Sequence, residues 1–131
     1  MINEQVLVDT LVTALKEKGF CVFTEISNFY RSADIVVIDK EEKLWIIECK
    51  ISDIAKAIKQ LKTHRLSADK VYICTPFRKT KPNTMKRIEN EGMGLIYIKE
   101  NGEINFVLES YSNPPWELAK NKIFNRVKEL I

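Results

Sequence analysis

Asp34, Glu48 and Lys50 are the residues whose types and spacing point most directly to chemistry. Asp34 opens the apolar run ADIVVID, and Glu48 and Lys50 close the run KLWIIECK. Strands this apolar are buried on both faces or nearly so. Charges are costly there unless they are paired or bound to a metal. Glu48 and Lys50 are separated by one residue, so their side chains leave the same face of a strand, with Cys49 on the other. The charged linker DKEEK between the two runs reads as a hairpin turn, which makes the strands antiparallel. The start of the first strand then lies beside the end of the second, and Asp34 meets Glu48 at one edge of the sheet. Two converging carboxylates suit a hard cation, Mg²⁺ or Mn²⁺. Such an ion polarises a phosphoryl group, lowers the pKa of water and neutralises developing charge. Lys50 is placed to orient the attacking water and to stabilise the transition state. The backbone carbonyl of Cys49 is a further candidate oxygen ligand, which leaves its thiol without a chemical role.

These residues need a scaffold, and the patterning supplies one. Residues 3–18 read as an amphipathic helix with Leu7, Leu11, Ala14 and Leu15 on one face, Asn3 as N-cap and Gly19 as the stop. FCVFTEI, 20–26, reads as a strand, followed by a polar loop, SNFYRS. The runs 33–39 and 43–50 form the hairpin described above. Ser52 or Asp53 caps a helix over 54–66 that turns Ile54, Ala57, Ile58 and Leu61 inward. KVYICTP, 70–76, is a strand ended by Pro76, and a short helix near 83–91 precedes Gly92 and Gly94. GLIYIKE and INFVLES flank Asn101-Gly102, a two-residue hairpin signal. Asn113 caps a final helix with Pro114 in its first turn. Its apolar stripe is Trp116, Ala119, Ile123, Val127 and Leu130. The order is helix, three strands, helix, strand, helix, two strands, helix: a mixed α/β architecture with helices covering a central sheet.

Composition bounds the rest. A chain of 131 residues is the length of one domain, spanning 1–131, and needs no disulfide or metal staple. Cys21, Cys49 and Cys74 are scattered through apolar runs, an odd number that argues for reduced thiols and a cytoplasmic location. A single histidine argues against a Cys/His zinc site. No apolar run approaches membrane-spanning length, and MINEQVLVDTLV has no signal-peptide pattern. The net charge is +3. Its cations gather in two segments, Lys56, Lys59, Lys62 and Arg65, then Arg78, Lys79, Lys81, Lys86 and Arg87. Segments of this kind contact phosphates or serve as solvated faces.

Ala33-Asp34, followed by Glu48-Cys49-Lys50 after an apolar strand, resembles the PD-(D/E)XK nuclease superfamily, which includes restriction endonucleases and Holliday-junction resolvases. The resemblance runs from the first helix through the helix at 54–66, about half of the chain. It implies a restriction endonuclease-like α/β fold, a central mixed β-sheet flanked by helices around an α-β-β-β-α-β core. It also implies that Asp34 and Glu48 are metal ligands and Lys50 the catalytic lysine. Ala33 stands where the superfamily name has proline, a common departure. The superfamily often adds an acid on the first helix. Glu4 matches it, with Glu25 as competitor; alternatively Glu4 is a first-turn acid favoured by the helix dipole and Glu25 a partner of Arg31. Gln60 matches a glutamine that some branches use, with His64 one turn on, although Gln60 also reads as a surface residue and His64 as structural or exposed. Trp45 and Trp116 read as core.

The resemblance therefore points to a Mg²⁺- or Mn²⁺-dependent endonuclease hydrolysing DNA, in repair, recombination or defence, possible as a homodimer and with no membrane partner. The rival reading is a non-catalytic module on the same fold that binds nucleic acid or protein. A third is an enzyme acting on RNA or on a branched junction.

Overall fold

Asn3 starts helix α1 (Glu4–Glu17) by accepting the Val6 N–H on its side-chain oxygen at 2.9 Å, which satisfies a donor the helix leaves open. Gly19 ends it in the left-handed region, φ 91°, as Phe20 N–H returns to the Leu15 carbonyl. Strands β1 (Cys21–Asn28), β2 (Arg31–Ile38) and β3 (Leu44–Cys49) follow, then α2 (Ile54–His64) and β4 (Lys70–Pro76). The chain continues through α3 (Pro82–Asn90), β5 (Gly94–Ile98), β6 (Ile104–Leu108) and α4 (Glu117–Lys128). The computed structural model describes residues 3–78 and 80–131, so Lys79 of the second basic segment lies outside the described residues.

The six strands form one sheet in the order β1-β2-β3-β4-β5-β6. The β1–β2, β2–β3 and β5–β6 pairs are antiparallel, and β3–β4 and β4–β5 are parallel. A parallel neighbour requires a crossover, and α2 and α3 supply the two needed. Helix α1 covers one face through Leu7, Leu11 and Leu15, which pack on Ile35, Val37, Trp45 and Ile47. The other face is covered by α2, α3 and α4, whose Ala57, Ile58, Leu61, Ile88, Ile123 and Val127 pack on Val36, Leu44, Ile46 and Ile73. β3 is buried along its whole length, as its unbroken apolar run requires. Asp53, not Ser52, caps α2, accepting the Lys56 N–H.

Three local readings change. The segment SNFYRS is not a loop. Pairing continues to Asn28↔Arg31 and leaves only Phe29 and Tyr30 as a two-residue turn, at φ 51° and 63°. Such turns normally carry Asn or Gly, so these residues give no turn signal. Asn101-Gly102 does form a hairpin, but the loop holds three residues, Glu100 to Gly102, with only the glycine in the left-handed region. The last helix starts at Glu117 rather than at Asn113. Asn113 and Pro114 each precede a proline and are pushed to extended backbone. Their segment is a tether, in which Asn113 N–H bonds the Asp69 carbonyl and Trp116 N–H the Leu66 carbonyl. Trp116 is consequently 56% exposed, not core, and Leu130 is exposed as well.

Candidate active site

The β2–β3 ladder runs from Ile38↔Leu44 to Ile35↔Ile47, and one further step sets Asp34 opposite Glu48. There the ladder stops. Asp34 Oδ2 accepts the Cys49 N–H at 2.9 Å, so a carboxylate takes the place of the next backbone acceptor. The β1 side breaks at the same level: Thr24↔Ile35 and Ile26↔Ala33 flank an unpaired Glu25/Asp34 position, with Glu25 at φ 52°. The inward alternation slips there by one residue. Ala33 and Val36 both join the core under α2, while Ile35 faces α1. The irregularity ends regular pairing where the acid pair begins.

The Asp34 and Glu48 carboxyls face each other and lie close enough to act on each other directly. Burial, followed by that contact, raises the Asp34 carboxyl to about 7. Glu48 is 2% exposed, and its carboxyl is also pushed up, because burial outweighs the Asp34 hydrogen bond and the Lys50 charge. Both carboxyls therefore keep a proton to higher pH than free ones do. Lys50 Nζ lies 3.9 Å from Glu4 Oε1. The fold thus brings together Asp34, Glu48, Lys50 and Glu4, the last through the first turn of α1. Glu25 is exposed, and no ion pair or hydrogen bond among the described residues ties its side chain to the site. The Cys49 thiol is buried against Cys74, which together with burial holds it protonated.

Two residues outside the sequence reading complete the surroundings, and a third has a different place. His64 is neither exposed nor remote. It is fully buried, with Nε2 3.2 Å from Glu48 Oε1. Its Nδ1 accepts from the Asn28 side-chain amide at 2.9 Å, and Asn28 Oδ1 accepts the Ser67 hydroxyl at 2.8 Å. Burial, then the Arg31 charge, lowers the His64 pKa, so the ring is neutral. The Asn28 donor fixes Nδ1 as acceptor and puts the ring hydrogen on Nε2, facing Glu48. The approach to Glu48 lacks the alignment of a hydrogen bond, and both atoms remain unpartnered. Gln60, one turn earlier on α2, also has a buried side-chain oxygen without a partner. The Gln60–His64 spacing was the available signal for His64; Asn28 was hidden in an apparent loop, and Ser67 carries none.

Among the described residues no group of three or more His, Cys, Asp or Glu side chains is arranged to hold a metal ion. Mg²⁺ needs fewer: it is held by one or two carboxylates and keeps waters or phosphate oxygens at its other positions. Two facing carboxyls whose burial raises the cost of ionising each, one with an orphaned buried oxygen, fit that requirement.

No family model and no curated protein matches the chain. Two solved structures resemble it. The SPO1766 protein of unknown function from Silicibacter pomeroyi superposes with a TM-score of 0.75 at 14% identity, over 99% of this chain and 90% of that one. A repair endonuclease from Pyrococcus abyssi superposes with a TM-score of 0.53 at 13% identity, over 87% of this chain. The fold is restriction endonuclease-like. The match spans 49% of the repair endonuclease, so the restriction endonuclease-like fold is shared with part of that protein. No described helix is long and apolar enough to cross a membrane.

Proposed function

We propose that this protein is a metal-dependent nuclease that hydrolyses DNA phosphodiester bonds, with Asp34 and Glu48 as ligands of Mg²⁺ or Mn²⁺ and Lys50 as the catalytic lysine. The observation that carries this reading is the contact between the two carboxyls at the point where the β2–β3 ladder ends, beside Lys50. When bound, the cation supplies charge neutralisation at the phosphate and a more acidic water. To hold it, Asp34 and Glu48 would both be ionised, which for Asp34 means giving up the proton that burial favours. The neutral His64 ring limits the swing of Glu48 on its buried side without adding a charge. Lys50 lies close to Glu4 and would face the negative charge that develops on the phosphate.

A basic track for the substrate backbone runs beside these residues. Arg78 and Lys81 line a groove with Ser52, Thr75 and Thr80, just after Lys50 in the fold. Lys56 and Lys59 are exposed on α2. Lys62 and Arg65 contribute less, because both pair with Glu91. Such a track holds DNA through its phosphates and carries no base preference.

The test is cleavage of plasmid and of single-stranded DNA with Mn²⁺ or Mg²⁺, then with chelator. Cutting is expected only with metal, and Lys50→Ala should slow it by roughly a hundredfold or more while leaving DNA binding in place. DNA binding with no metal-dependent cutting, and with Lys50→Ala indistinguishable from the parent, would contradict the proposal.

A further inference from the structure

We propose that the groove between the β1–β2 turn and the start of α4 takes an unpaired base, so that the substrate is single-stranded or frayed rather than continuous duplex. This inference rests on the nuclease reading for its biological meaning, but the groove is argued from its own residues. It has a volume of about 230 Å³ and is lined by Phe29, Tyr30, Trp116, Lys122 and Arg126, with Asn28 in its wall. Tyr30 is fully exposed, and Trp116 is 56% exposed. The Phe29 and Trp116 rings stack at 6.3 Å between centroids and 15° between planes. The lining carries two cations and no carboxylate. Arg126 also donates to the Ser27 carbonyl, which ties α4 to the turn.

An aromatic surface beside cations is the chemistry of strand binding, in which bases stack and phosphates pair. A base inside an intact duplex cannot present its face to Tyr30 or Trp116, whereas an unpaired one can. The turn itself adds a second observation. Phe29 and Tyr30 both occupy left-handed backbone, which bulky side chains avoid and which Asn or Gly would adopt without strain. Folding gains nothing from a fully exposed tyrosine in that position, so the residue marks a contact made outside the chain.

The groove is also in reach of the acids. Asn28 in its wall bonds His64, whose Nε2 is 3.2 Å from Glu48. Tyr30 precedes Asp34 along β2 by about 13 Å of strand, which a stacked strand covers in about four nucleotides. A base seated in the groove thus belongs to the strand whose backbone reaches Asp34 and Glu48.

Trp116 provides the readout, since the other tryptophan, Trp45, is packed on the opposite face among Phe20, Tyr72 and Phe106. Oligothymidylate is titrated against tryptophan fluorescence in chelator, beside a blunt duplex of the same length. The single strand should quench and the duplex should bind more weakly. Tyr30→Asn should weaken single-strand affinity roughly tenfold while raising Tm by a few degrees, because asparagine relieves the turn. Trp116→Phe should abolish the quenching. Equal affinities for the two DNAs, or Tyr30→Asn binding like the parent, would overturn the inference. Cleavage run in parallel separates the two claims. Metal-dependent cutting with an indifferent groove overturns this inference alone. Single-strand binding lost in Tyr30→Asn, without any cutting, upholds the groove and overturns the nuclease reading.

Discussion

A carboxyl held against another carboxyl inside a protein keeps a proton unless a cation replaces it. Asp34 shows this, with burial and the Glu48 contact raising it to about 7. Its folded pKa lies above its unfolded value, so protonation favours the fold. The stabilisation is complete below the unfolded pKa near 4 and is lost as pH rises through 7. The protein in chelator should therefore lose Tm between about pH 5 and pH 8, followed by circular dichroism. Asp34→Asn should flatten that slope, and Mg²⁺ should oppose it. An unchanged slope in Asp34→Asn would show that the proton resides elsewhere. Asp34, Glu48 and Lys50 could be found from the sequence because period-two alternation and a short turn fix which side chains meet. The Ser67–Asn28–His64 relay could not, because it joins side chains 36 and 39 residues apart through contacts no local pattern encodes.

At the scale of elements, the strands and the first two helices follow from their apolar spacing, and their ends from capping at Asn3, Gly19 and Asp53. The start of α4 is the exception, since two consecutive prolines forbid the helix that Asn113 would otherwise cap. What holds α4 instead is Asp69. Its Oδ2 accepts the Leu44 N–H at 2.8 Å and pairs with Lys120 Nζ at 2.8 Å, both largely buried. Its own carbonyl accepts Asn113 N–H. One residue between α2 and β4 therefore fastens the start of β3, the tether and α4. Asp69→Ala leaves a buried donor and a buried ammonium without partners, and should cost about 3 kcal/mol of unfolding free energy. Asp69→Asn, which keeps an acceptor for Leu44, should cost less. Urea unfolding of the two variants measures both. Equal stability of Asp69→Ala and the parent would mean that α4 is held by its apolar stripe alone.

Across the whole molecule, α1 seals one face of the sheet and the helices α2, α3 and α4 seal the other, leaving the acid pair where the β2–β3 ladder ends. Cationic grooves flank that point: one with Arg78 and Lys81, the other with Lys122 and Arg126. The mild net charge of +3 concealed this distribution, because acids elsewhere cancel it. The fold class was legible from element order, whereas the two grooves needed the chain folded, since each joins segments distant in sequence. The account depends on Asp34 and Glu48 holding one cation between them. Paramagnetic titration of Mn²⁺ tests this most directly, by following loss of the free-ion signal as protein is added. The parent should bind one Mn²⁺, and Asp34→Asn and Glu48→Gln should each weaken binding by roughly tenfold or more. Equal binding by the parent and both variants, or none by the parent, would contradict it.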